Sequence, residues 1–67
     1  MVRLVRDFER AIKPLGWSYS HTTGSHRVWK NPSVPKLISL PGPPNKEIKI
    51  GLLKAMSKIA GIDYRTI

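Results

Sequence analysis

The chain has no cysteine, only four acidic residues and no long apolar run. Without cysteine there are no disulfides and no thiolate-held zinc or iron–sulfur site, which fits a reducing compartment, although many exported proteins also lack cysteine. The few carboxylates are not spaced as catalytic pairs or as metal ligands, and no glycine-rich loop of phosphate-cradling type is present. The start, Met1-Val2-Arg3-Leu4-Val5-Arg6-Asp7, is charged and periodic, unlike the apolar stretch of a signal peptide. Nothing later approaches the roughly 20 apolar residues of a membrane span. The expectation is a soluble cytoplasmic protein with no membrane partner, no metal and no cofactor.

What is abundant is positive charge. Twelve Lys and Arg against four Asp and Glu give a formal net charge of +8 and a pI near 10.5. On so small a body this excess makes a field that attracts polyanions, of which nucleic acid is the commonest. The basic residues are spread along the chain, whereas a membrane-surface anchor gathers them on one amphipathic helix. A chain of 67 residues is expected to form one domain, 1–67. At that size folding buries only about 60% of the surface exposed by the unfolded chain, so the core is thin.

Apolar periodicity divides the chain into five elements. Leu4, Val5, Phe8, Ala11, Ile12 and Leu15 recur at three- and four-residue steps, which predicts a helix over about 3–13. Pro14 cannot continue its hydrogen bonds, and Gly16 suits the left-handed residue after a helix end. Alternation over 17–22, with Trp17, Tyr19 and His21 on one side, predicts a strand. After a turn at Thr23-Gly24-Ser25, residues 26–30 form a second strand, which Asn31-Pro32-Ser33 breaks. A third strand over about 36–40 carries Leu37, Ile38 and Leu40 and leads into the stiff run Pro41-Gly42-Pro43-Pro44-Asn45. Leu52, Leu53, Met56, Ile59 and Ala60 make the apolar face of a last helix, which starts between Lys49 and Leu52. No capping residue precedes Leu52. Gly61 ends this helix, with Ile62 folding back as its hydrophobic contact.

The expected fold class is therefore α+β. Its order is α-β-β-β-α, a three-stranded antiparallel sheet with both helices on one face, as in a double-stranded-RNA-binding domain. Strand parity then orients the first hairpin. A thin core needs its aromatics, so Trp29 is expected to pack inward with Trp17 and Tyr19. That pairing implies an odd loop, Thr23-Gly24-Ser25, and puts Ser18, Ser20, Thr22, His26 and Lys30 on the open face. Arg27 then lies at the margin of the core with its head in water. In this register His21 faces away from His26 and is read as structural or RNA-contacting.

The ordered set Gly16-Trp17, Gly24-Ser25-His26, Asn31-Pro32, Leu40-Pro41, Lys46-Glu47-Ile48-Lys49, Gly51-Leu52-Leu53 and Ala60-Gly61-Ile62 resembles the HicA toxins. These are ribosome-independent mRNA interferases of bacterial type II toxin–antitoxin systems, and the likeness runs over nearly the whole chain. The resemblance implies a double-stranded-RNA-binding-like fold, cleavage of mRNA, inhibition by a HicB-like antitoxin, and a catalytic histidine at His26. The chain departs from the family pattern in three places. Gly42-Pro43-Pro44 stands where a second histidine is common, Leu52 where a threonine is common, and His21 at a position commonly basic.

The residues are compatible with that chemistry, although Gly24-Ser25-His26 taken alone also reads as a plain hairpin turn with an exposed histidine. RNA is cut when its 2′-hydroxyl attacks the adjacent phosphate, which calls for a base, an acid and positive charge around the phosphorane. Histidine suits both proton transfers near neutral pH, and Lys and Arg supply the charge. With the resemblance, His26 is the candidate catalytic residue, and Ser25, Arg27, Lys30, Lys46 and Lys49 are the candidate RNA contacts. A non-catalytic RNA-binding module of the same shape, and an inactive HicA homologue acting through HicB binding, remain the alternatives.

Overall fold

In the computed structural model, which describes residues 3–67, helix α1 spans Val5–Ile12 and passes into a 3-10 turn at Lys13–Leu15. Strands β1 (Ser18–Thr23), β2 (His26–Asn31) and β3 (Val34–Pro41) follow, then helix α2 (Ile50–Ala60) and a last 3-10 turn at Tyr64–Thr66. The sheet is antiparallel with strand order β1-β2-β3. This is the α-β-β-β-α order read from the periodicity.

Each end of α1 has a local cause. The Asp7 carboxylate accepts a hydrogen bond from the Leu4 backbone N–H at 3.0 Å, and its charge suits the positive end of the helix. At the other end Gly16 takes φ +95°. A side chain there would also crowd the Asn31 amide at 3.2 Å, where Asn31 Nδ2 donates to the Leu15 carbonyl at 3.0 Å. The buried Asn31 accepts from the Ser33 N–H as well, so one amide ties the end of α1 to the Pro32-Ser33 turn. Helix α2 is preceded by Lys49, which gives it no side-chain cap, and is closed by Gly61 in the left-handed region, φ +79°. Ile62 packs back on the core as expected.

One core joins Val5, Phe8 and Ile12 of α1, Trp17, Trp29, Ile38 and Leu40 of the sheet, Ile48, and Leu53 and Ala60 of α2. Both helices thus bury their apolar stripes against the same sheet face. Residues 44–48, which lead into α2, are tied to the start of α1. Backbone bonds run from Arg6 to the Pro44 carbonyl, from Val5 to the Lys46 carbonyl, and from Ile48 to the Arg3 carbonyl.

The hairpin departs from the expected register in a way that matters for the site. The turn is the two residues Gly24-Ser25, with Thr23 paired to His26, Thr22 to Arg27 and His21 to Val28. Gly24 has φ +61° and Ser25 does not take positive φ, the requirement of a type II′ turn. Beyond His21 the register shifts, so that Tyr19 pairs with Trp29 and Ser18 with Lys30. Ser20 is the extra residue, a β-bulge. The odd-loop pairing is therefore correct at the base of the hairpin and wrong at its tip. Trp29 is inward as expected, 3% exposed, but Tyr19 is 45% exposed and meets it only edge to face, ring centroids 6.0 Å apart.

Candidate active site

The hairpin tip is built by backbone demands that only certain residues meet. Glycine is suited to the positive φ of Gly24. Gly42 approaches so closely that its N–H donates to the Ser25 carbonyl at 2.6 Å. A side chain on Gly42 would meet that same oxygen at 3.0 Å. The start of the proline-rich connection is thereby pinned to the turn that precedes His26. A cavity of about 310 Å³ opens there, lined by Thr22, Ser25, Arg27, Gly42, Pro43 and Pro44.

Neighbouring residues of β2 point to opposite faces. On the helix side, the Glu9 carboxylate accepts from Arg27 Nε at 2.6 Å and from Trp29 Nε1 at 2.8 Å. Glu9 is 6% exposed, so the arginine and the indole supply the partners that a buried carboxylate needs. The Arg27 guanidinium also lies 5.0 Å over the Tyr19 ring, and the Tyr19 hydroxyl bonds the Thr22 hydroxyl. Thr22, Tyr19, Arg27 and Trp29 thus share one side of the hairpin. Thr22 was expected on the open face, and the two-residue turn is what moves it.

The open face carries His26, Val28 and Lys30 of β2, with Thr23, His21 and Ser18 opposite them on β1. Pro41 and Ser39 of β3 stand across from His26 and Val28. His26 and Lys30 are exposed, and among the described residues neither side chain makes a hydrogen bond or an ion pair. Between them Val28 is 7% exposed and forms an apolar floor. The bulge at Ser20 brings His21 to this face, contrary to the odd-loop register. It is exposed, and its Nδ1 is hydrogen-bonded to the Ser20 hydroxyl at 2.9 Å.

The candidate residues therefore fall into three places. His26 and Lys30 share the open face, and Ser25 sits in the turn beside them. Arg27 is on the opposite side, engaged with Glu9. Lys46 and Lys49 lie exposed on the connection that docks against residues 3–6, and Lys49 is the residue before α2. Glu9 was not singled out from the sequence. Its signal was present: it lies four residues after Val5 and three before Ile12, on the apolar stripe. A carboxylate there implies a buried cation or donor. Among the described residues, no three His, Asp or Glu side chains gather as a metal site. No helix among them is long and apolar enough to cross a membrane.

The family model described as the HicA toxin of bacterial toxin–antitoxin systems matches residues 5–62. That span runs from the first residue of α1 to the hydrophobic contact after α2, and it includes the hairpin tip and the open face. Among curated proteins, none matches the chain.

Proposed function

The chain belongs to the HicA toxin family of bacterial toxin–antitoxin systems, and from that premise we propose that it is a metal-independent endoribonuclease, an mRNA interferase, with His26 as its proton-transferring residue. The observation that carries this reading is the position of His26. It is exposed at the first position of β2, directly after the Gly24-Ser25 turn, with its imidazole unpaired among the described residues. An imidazole not held by a protein partner is free to take or give a proton at a bound phosphodiester.

Lys30, two residues along the same face, supplies charge that favours the developing phosphorane. Ser25 offers a hydroxyl and the turn offers backbone N–H groups to phosphate oxygens. Arg27, Lys46 and Lys49 contribute to the positive field that draws RNA in, from outside the reacting face. The proposed setting is the cytoplasm, where mRNA is met, and the proposed protein partner is a HicB-like antitoxin that suppresses the toxin.

The test is cleavage of purified RNA in EDTA by the wild-type chain and by His26→Ala. The expected loss is about 100-fold or more, the usual contribution of a general acid or base. The variant should keep the wild-type circular dichroism spectrum and melting curve, because His26 is exposed. Intact RNA with the wild-type chain, bound but uncut, would reduce the protein to an RNA-binding module.

A further inference from the structure

The bulge at Ser20 changes which residues can act together. We infer that His21 is a second catalytic residue, and that His21 and His26 divide the two proton transfers of RNA cleavage between them. This rests on the ribonuclease reading of His26 and adds a residue to it.

The pairing of Thr23 with His26 and of His21 with Val28 makes the two histidines diagonal neighbours on one face of one hairpin. Diagonal neighbours of an antiparallel pair stand about 7–8 Å apart. That spacing lets two imidazole tips reach opposite oxygens of a single phosphodiester. Val28, directly across from His21 and two residues along from His26, is buried, and Thr23 stands at the remaining corner, so one side of the space beside the two rings is apolar. The Ser20 hydroxyl at 2.9 Å from Nδ1 of His21 occupies that nitrogen and leaves Nε2 for the substrate. The bulge thus does two things: it turns His21 toward His26, and it supplies the group that orients its ring. The other titratable side chain at these register positions is Lys30, while β3 contributes Ser39 and Pro41, which do not titrate.

The reaction balances with these two groups alone. The 2′-oxygen forms its bond to phosphorus as its proton passes to the neutral imidazole. The bond from phosphorus to the 5′-oxygen then breaks, its electron pair stays on that oxygen, and the other histidine, as imidazolium, gives it a proton. The products are a 2′,3′-cyclic phosphate and a 5′-hydroxyl. Each ring ends in the protonation state the other began with, and exchange with water resets both.

The experiment compares the wild-type chain, His21→Ala, His21→Arg and His26→Ala on two substrates. One is a short RNA that the wild-type chain cuts. The other is the same RNA with sulfur in place of the bridging 5′-oxygen at the cut site, which leaves without needing a proton. The expected result is a loss of about 100-fold in kcat for His21→Ala and for His21→Arg on the normal RNA. The bell-shaped pH profile of kcat should lose one limb in each alanine variant. Only one of the two alanine variants, the one lacking the acid, should regain a near wild-type rate on the sulfur substrate. A His21→Arg variant that cuts normal RNA at the wild-type rate would make His21 a charge contact and overturn the inference. So would His21→Ala with an unchanged rate and pH profile, while His26→Ala still failed, which would leave the ribonuclease reading standing. RNA left intact by the wild-type chain would remove both.

Discussion

Along β2 the side chains alternate between two environments that hold their polar groups differently. On the helix side each polar group is bound. Arg27 and Trp29 share the Glu9 carboxylate, and the Asn31 amide bridges the Leu15 carbonyl and the Ser33 N–H. On the open side His26 and Lys30 have no partner among the described residues, and the one buried residue between them, Val28, is apolar. The same six-residue strand thus spends one face on stability and leaves the other for chemistry. The difference follows from where water remains. A buried polar group without a partner costs about 1–3 kcal/mol, so the helix-side residues of β2 are satisfied, although Trp17 Nε1 and Ser57 Oγ elsewhere in the core are not, whereas an exposed imidazole is paired with water at no such cost.

The largest expected effect is on the helix side. A chain of this length has an unfolding free energy of about 3–10 kcal/mol. Trp29→Ala removes the largest buried side chain of β2 and one of the two donors to Glu9, and such truncations cost about 3–5 kcal/mol. The variant is expected to be largely unfolded at room temperature, with the loss of its cooperative urea transition as the readout. A folded Trp29→Ala variant with a normal transition would show that the two faces do not differ in the way described.

Glu9→Ala comes next. It strips Arg27 and Trp29 of their shared acceptor, but the Arg27 side chain is 30% exposed and its guanidinium turns to water. The indole N–H is left buried and unpaired. The expected cost is about 2–3 kcal/mol, read from the urea midpoint. Cleavage per folded molecule should stay within about twofold of wild type, because Glu9 and His26 belong to opposite faces. A selective loss of cleavage at unchanged stability would break the comparison.

The elements were legible because each rests on short-range rules. Leu4 to Leu15 carries helical spacing, Pro14 and Gly16 end it, and Gly61 with Ile62 ends α2 as their chemistry requires. The inward placement of Trp29 followed from the need of a thin core for aromatics. Parity failed at the hairpin tip because two demands compete there. The Gly24-Ser25 pair favours a two-residue turn, while packing requires Tyr19 opposite Trp29, and one register cannot satisfy both. The strand resolves this with an extra residue at Ser20, a choice made by tertiary packing and carried by no local pattern. That single residue moves Thr22 to the helix side and His21 to the open side. In β3 the register also shifts between the Trp29 and Asn31 pairs, and Leu37 ends up 55% exposed although it reads as apolar strand. Glu9 was readable from its spacing, but only once the apolar stripe is asked what a carboxylate is doing on it.

The smallest expected effect sharpens the open face. Lys30 lies two residues beyond His26 on the same side, and it is exposed and unpaired among the described residues. If it meets a phosphate, Lys30→Ala removes one charge contact and with it one released counterion. The slope of log Kd against log salt should fall by about 1, and binding to a non-cleavable RNA should weaken a few-fold at moderate salt. Stability should stay within about 0.5 kcal/mol, since the change is on an exposed site without partners. Arg27→Ala provides the contrast. Its guanidinium is engaged with Glu9, so its removal should lower the urea midpoint more than it changes the salt slope. Should Arg27 carry the larger slope change, RNA would be crossing the strand edge to the helix side, and the open face would not be the whole of the binding surface.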